Sequence, residues 1–110
     1  MESRQALGIF SALAHETRLD VFRLLVQAGP GGKPAGAIAE TLGIPAATLS
    51  FHLKELKSAG AVGCRRESRS LIYFPKFAVM AELQAFLTEN CCAAAGPCGA
   101  AADQPTPAGP

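Results

Sequence analysis

The amino-acid sequence predicts a mainly α-helical chain with one small β-hairpin, an α+β domain, and three observations carry that reading. Between Pro45 and Gly60, Leu49, Leu53 and Leu56 recur at four- and three-residue spacing and so line one face of a helix. A shorter helical pattern ends just before it at Gly43, and only Ile44 separates that glycine from Pro45. Two helices joined by so tight a turn make a helix-turn-helix. After Gly60 the apolar period changes from helical to alternating, as strands require. Together these features predict a winged helix-turn-helix, with the Pro45–Gly60 segment as its recognition helix and the hairpin as its wing.

Taken in order, residues 3–13 carry Leu7, Ile9, Phe10 and Leu13, the apolar side of a short first helix. A second helix runs from about Glu16 to Gln27, with Leu19, Phe22, Leu25 and Val26 inward and acidic Glu16 against the N-terminal dipole. His15 caps or packs near its start. Gly29-Pro30-Gly31-Gly32 ends that helix. Lys33-Pro34 then opens a third, shorter one, with Ile38, Ala39 and Leu42 inward.

Pro45 fits the first position of the recognition helix, where its missing N–H costs nothing, and Gly60 fits the left-handed position that ends it. Rotation of about 100° per residue sets Ala47, Phe51, Lys54 and Ser58 opposite the leucines, a mixed and partly basic face that suits a DNA groove, with Phe51 among the expected contacts. AVGCRRESRSLIYFP reads as two strands around a Glu67-Ser68 turn, with Cys64 as a small buried apolar residue. Lys76 to Asn90 forms the last helix, and its Phe77, Val79, Met80, Leu83, Phe86 and Leu87 spread too widely for one core stripe. The simplest cover for the excess is the same helix of a second copy, giving a homodimer. The expected organisation is a DNA-binding and dimerisation domain over residues 1–90, then a cysteine-containing tail over 91–110 that lacks fixed structure when unliganded.

The net charge of +1 does not by itself point to nucleic acid, but its distribution does. Residues 1–44 balance to zero, 45–76 carry +4 and the remainder −3. Lys54, Lys57 and the wing residues Arg65, Arg66 and Arg69 supply most of that charge, where a helix enters the major groove and a hairpin reaches phosphates or the minor groove. The bland alternatives are an ordinary amphipathic surface helix and a solvated arginine-rich hairpin. No apolar run approaches the roughly 20 residues of a membrane span, and no export signal opens the chain, so a soluble cytoplasmic protein is expected.

Ala12-Leu13-Ala14-His15-Glu16-Thr17-Arg18-Leu19, Leu42-Gly43-Ile44, Thr48-Leu49-Ser50-Phe51-His52-Leu53-Lys54, Leu56, Ala59-Gly60 and Arg65-Arg66-Glu67 resemble the ArsR/SmtB family over about residues 6–87. Such proteins are winged-helix repressors, usually homodimers, that leave double-stranded operator DNA when a metal or metalloid binds. The resemblance implies DNA contacts from Thr48, Ser50 and His52, and dimerisation through the first and last helices. Three departures stand out. Pro45-Ala46 replaces a common Ser-Gln, removing a bidentate reader of adenine. Ser68 stands where the wing turn usually has glycine. The arsenic-binding Cys-x-Cys is absent from Pro34-Ala35-Gly36-Ala37-Ile38, as is the Asp/His zinc set of the last helix.

What remains for sensing is Cys91, Cys92 and Cys98. Without an export signal, clustered cysteines suggest metal binding or reactivity rather than a disulfide framework. Structural zinc normally takes four ligands, and these thiols number three. Trivalent arsenic or antimony is satisfied by three thiolates in a pyramid, and a similar family subset holds arsenite beyond its last helix with a vicinal pair plus a third cysteine. As(III) or Sb(III) is therefore the expected inducer, with no organic cofactor. A methylated arsenical on Cys91 and Cys92 alone, another soft metal (zinc, cadmium or copper(I)) and oxidation are the alternatives. A thiol-based reductase lacks its Cys-x-x-Cys and glycine loop here, so no enzyme is expected. A winged-helix protein-interaction module that never meets DNA is the remaining rival.

Overall fold

The computed structural model describes residues 1–95. Its elements are α1 (Ser3–Leu13), α2 (Glu16–Ala28), β1 (Lys33–Pro34), α3 (Ala35–Leu42), α4 (Ala46–Ser58), β2 (Val62–Glu67), β3 (Ser70–Pro75) and α5 (Phe77–Thr88). The architecture is the winged helix-turn-helix that the periodicity predicts, with α3 and α4 as the helix pair and β2–β3 as the wing.

One strand was not expected. Lys33-Pro34 does not open a helix but pairs antiparallel with β3, Lys33 opposite Tyr73 and Pro34 opposite Ile72, making a sheet in the order β1-β3-β2. Pro34 is extended at φ −67°, ψ 149° and serves as the N-cap of α3. A proline biases the preceding residue toward extended backbone and suits a sheet edge, where its missing donor goes unmissed. Two residues are too few to show a period, so this strand left no pattern to read.

The core is built around Ile9, Val21, Leu25, Ile38, Leu49, Leu53, Leu56 and Val62, all fully buried. The leucine stripe of α4 is thus inward as predicted. In α1 the inward residues are Ala6, Ile9 and Ala12, while Leu7 is 66% and Phe10 39% exposed. In α2 Val21, Phe22 and Leu25 face inward, and Leu19 and Val26 lie outside. The expectation placed the bulkiest residues inside. Ile9 is inward as expected, but Ala6 and Ala12 flank it there, and Leu7 and Phe10 are left on the surface.

The two helices of the helix-turn-helix end in the same way. After α3, Gly43 (φ 67°) donates its N–H to the Glu40 carbonyl and Ile44 to that of Ala39. After α4, Gly60 (φ 87°) donates to Lys57 and Ala61 to Leu56. Both are Schellman endings, which satisfy the last carbonyls with one left-handed residue. Pro45 sits one position earlier than predicted: it is the extended N-cap of α4, and its carbonyl accepts the Leu49 N–H at 3.0 Å.

The hairpin register runs from Val62–Pro75 to Glu67–Ser70, so the turn is Ser68-Arg69, one residue later than expected. Ser68 has φ 56°, a left-handed conformation that costs a residue with a Cβ. Glycine would adopt the same backbone without that cost. Ser68→Gly is expected to stabilise the protein by about 1 kcal/mol, less the greater entropy that glycine loses on folding. Urea denaturation midpoints check this, and a lower midpoint in the variant contradicts it.

In α5 the buried residue is Leu83, with Val79, Met80 and Phe86 packed partly against the core. Phe77 and Leu87 are exposed, the latter 60%. The helix stops at Thr88, two residues short of the expected Asn90.

Candidate nucleic-acid interface and thiol pair

The Schellman turn at Gly43 and the Pro45 cap fix where α4 leaves α3, and the buried leucines fix its rotation. The side chains of Ala46, Ala47, Thr48, Ser50, Phe51, Lys54 and Lys57 are exposed on it. Five of the predicted DNA-contacting residues on this helix, Thr48, Ser50, Phe51, Lys54 and Lys57, therefore lie on the outer surface.

His52 does not share that surface. It is only 7% exposed, and its Nδ1 accepts the Arg18 Nε–H at 3.3 Å. Its ring lies 4.7 Å from that of His15, centroid to centroid, and meets the Phe51 ring edge-on at 5.6 Å. His15 in turn caps α2 by accepting the Thr17 N–H at 3.2 Å, as the sequence allowed. Burial first, then the nearby His15 and Arg18, hold the His52 imidazole below its ordinary pKa. A neutral ring is what the Arg18 hydrogen bond requires. His52 is thus a positioning residue that ties α4 to the start of α2, because its ring is largely buried beside Leu53 and turned toward Arg18 and His15.

This has a consequence for stability. The unfolded state binds the His52 proton near pH 6.5, whereas the folded state binds it only at lower pH. The stabilisation is complete above about pH 6.5 and declines as the pH falls below it. Denaturation midpoints should drop between pH 7.5 and 5.5 by more in the wild type than in His52→Gln. Equal drops would remove His52 as the cause.

The wing arginines divide. Arg66 and Arg69 are exposed near the hairpin tip. Arg65 is already engaged: Nε donates to Glu67 Oε2 and Nη2 to the Gly31 carbonyl, both at 2.6 Å, and Cζ lies 5.5 Å from the Phe74 ring. Two of its five N–H donors thus anchor the wing to Glu67 and the α2–β1 loop, while its side chain, expected to meet phosphate, stays 40% exposed. Cys64 is half-buried rather than buried and stands opposite Tyr73. Burial, then this thiol, raises the Tyr73 hydroxyl above its ordinary pKa.

Beyond α5 the chain turns tightly. Cys91 donates its N–H to Thr88, Ala93 to Asn90 and Ala95 to Cys92, all at 3.0–3.1 Å. Asn90 (φ 57°) and Cys92 (φ 62°) adopt left-handed backbone. Adjacent side chains on a helix point about 100° apart. Here the unwound backbone brings the Cys91 and Cys92 sulfurs to 3.5 Å, close enough for one thiophilic centre to take both. Cys98, the third predicted ligand, lies outside the described residues. Among the described residues no group of three or more His, Cys, Asp or Glu side chains converges.

Sequence reasoning missed Arg18 and His15 as partners of the recognition helix. They sit 34 and 37 residues from His52, a separation that local periodicity cannot bridge.

Residues 13–65 match a helix-turn-helix domain family. The homodimeric winged helix-turn-helix DNA-binding domain of a possible ArsR-family transcriptional regulator from Mycobacterium bovis is 34% identical, with a TM-score of 0.65, over 76% of this chain and 75% of that one. The chain belongs to the ArsR family of transcriptional regulators. Two further relatives fit this assignment. A possible transcriptional regulator for arsenical resistance is 26% identical with a TM-score of 0.60, over 70% of this ArsR-family chain and 77% of the other. An uncharacterised HTH-type transcriptional regulator, YceK of Bacillus subtilis (strain 168), is 37% identical over 62 residues, 56% of this chain. That match spans about 61% of the length of the Bacillus protein. Among the described residues no helix is long and apolar enough to cross a membrane.

Proposed function

We propose that this ArsR-family protein is a homodimeric repressor that leaves its operator when As(III) or Sb(III) binds the cysteines beyond α5. The observation that carries the reading is the Cys91–Cys92 pair, its sulfurs 3.5 Å apart, at the end of the helix with exposed Phe77 and Leu87. The same helix thus bears the thiols and the apolar surface that would meet a second copy. The likeness to a possible regulator for arsenical resistance supports the same ligand class.

In the ligand-free dimer, α1 and α5 pair with those of the second copy and cover Leu7, Phe10, Phe77 and Leu87. The two α4 helices then address half-sites about one DNA turn apart. Thr48, Ser50, Phe51, Lys54 and Lys57 form the contacts from α4, and Arg66 and Arg69 those from the wing. Arg18 and His52 hold α4 in register behind them. As thiolates, Cys91 and Cys92 hold a trivalent pnictogen, and Cys98, six residues on, completes a three-sulfur set from the tail. Gathering the tail onto the end of α5 changes how the two dimer helices meet, and with them the spacing of the α4 pair.

Purified protein on its own upstream DNA, titrated with arsenite, antimonite and zinc, tests this. Release at lower arsenite and antimonite than zinc concentrations is expected. Release by zinc, cadmium or copper(I) at lower concentration would assign another soft metal. Release by a methylated arsenical with Cys98 replaced would assign the two-thiol site. Release by oxidant alone would assign a redox sensor. DNA binding that does not weaken with salt would favour a protein-interaction module.

A further inference from the structure

We infer that Phe51 reads thymine methyl groups, so that apolar contact helps this protein select its operator. The inference rests on the DNA-binding reading above and names what that surface selects.

Phe51 is 54% exposed in the middle of α4, on the surface that also presents Ala46, Ala47, Thr48 and Ser50. An exposed phenylalanine is unremarkable when it is loose, but this ring is held. Arg18 Cζ lies 5.7 Å from its centroid, and the His52 ring meets it edge-on at 5.6 Å. Arg18 is itself fixed by its hydrogen bond to His52, which is buried. The ring is therefore braced on the protein side and left open on the other, an arrangement that lowers the entropy lost when a ligand covers it.

The neighbouring chemistry restricts what the helix can distinguish. Residues 46–53 read Ala-Ala-Thr-Leu-Ser-Phe-His-Leu, with no Asn, Gln, Arg or Lys. The side chains that make bidentate contacts to adenine or guanine are therefore absent from the half of the helix that reaches base edges. The hydroxyls of Thr48 and Ser50 pair with donors or acceptors alike and discriminate weakly. In the major groove, thymine alone presents a methyl group, and apolar side chains, phenylalanine included, recognise it. Phe51 with Ala47, one helical turn before it, supplies such a surface.

Deoxyuridine differs from thymidine only by lacking that methyl, so it isolates the contact. The upstream DNA is prepared with deoxyuridine replacing thymidine one symmetry-related pair at a time, and full-length wild-type and Phe51→Ala proteins are titrated onto each duplex. Burying one methyl is worth about fourfold in affinity, so wild type should bind one particular substituted duplex roughly 15-fold more weakly. Phe51→Ala should bind that duplex and its thymidine parent equally. Equal wild-type affinity for every duplex overturns the inference, as does discrimination retained by Phe51→Ala, and either outcome leaves the repressor reading standing. If wild type fails to bind the thymidine duplex, the repressor reading falls and this inference falls with it.

Discussion

Leu53→Ala should lower the free energy of unfolding by about 2–5 kcal/mol, a large share of what a domain of this size possesses. Leu53 is 1% exposed and lies between Leu49 and Leu56, which are also buried, so truncation removes burial and leaves a void where α4 meets the core. The effect reaches function because that stripe fixes which side of α4 faces outward. Urea denaturation gives the stability change, and affinity for the upstream DNA measured well below the unfolding transition shows whether the remaining folded protein still presents the helix. A loss under 1 kcal/mol would mean that Leu53 is not the anchor the structure makes it.

A charge placed on the apolar surface of the terminal helices should have an effect of similar size on binding. Leu87 on α5 and Leu7 on α1 are 60% and 66% exposed, and neither contributes to the buried core. Leu7→Asp and Leu87→Asp together should leave the unfolding of a monomer nearly unchanged. They should abolish the dimer, and with it the gain from two linked DNA-binding heads, which amounts to roughly 100- to 10,000-fold. Sedimentation and DNA titration measure the two consequences separately. A double variant that stays dimeric would place the interface elsewhere, and a monomer that binds DNA as tightly as wild type would remove dimerisation from the account.

The parts of the fold that were legible in the sequence are those with a repeating physical signature. The Leu49–Leu53–Leu56 spacing, the glycines at 43 and 60 and the alternation after Gly60 each name a conformation, and each is found in place. The pattern fails where size or length misleads. Ala6 and Ala12 are inward while Leu7 and Phe10 are outward, because close packing of α1 favours small residues. β1 is too short for any period to show. Within the candidate site, the exposed residues of α4 and the arginines near the wing tip follow from helical rotation and turn position. His52 and Arg65 do not, because their roles are set by Arg18, His15 and Gly31, which the fold brings from more than 30 residues away. The juxtaposition of Cys91 and Cys92 was equally hidden. It depends on left-handed backbone at both Asn90 and Cys92, a conformation that asparagine tolerates but that cysteine does not announce.

Those two sulfurs make the central claim testable in one measurement. Wild type, Cys91→Ser and Cys92→Ser are bound to the upstream DNA and titrated with arsenite, and the fraction remaining bound is followed. Linkage between the thiol site and the DNA-reading surface should weaken wild-type binding by about 5- to 150-fold. Both serine variants should remain on the DNA at arsenite concentrations that clear the wild type. If both are released as readily as wild type, Cys91 and Cys92 do not form the sensor.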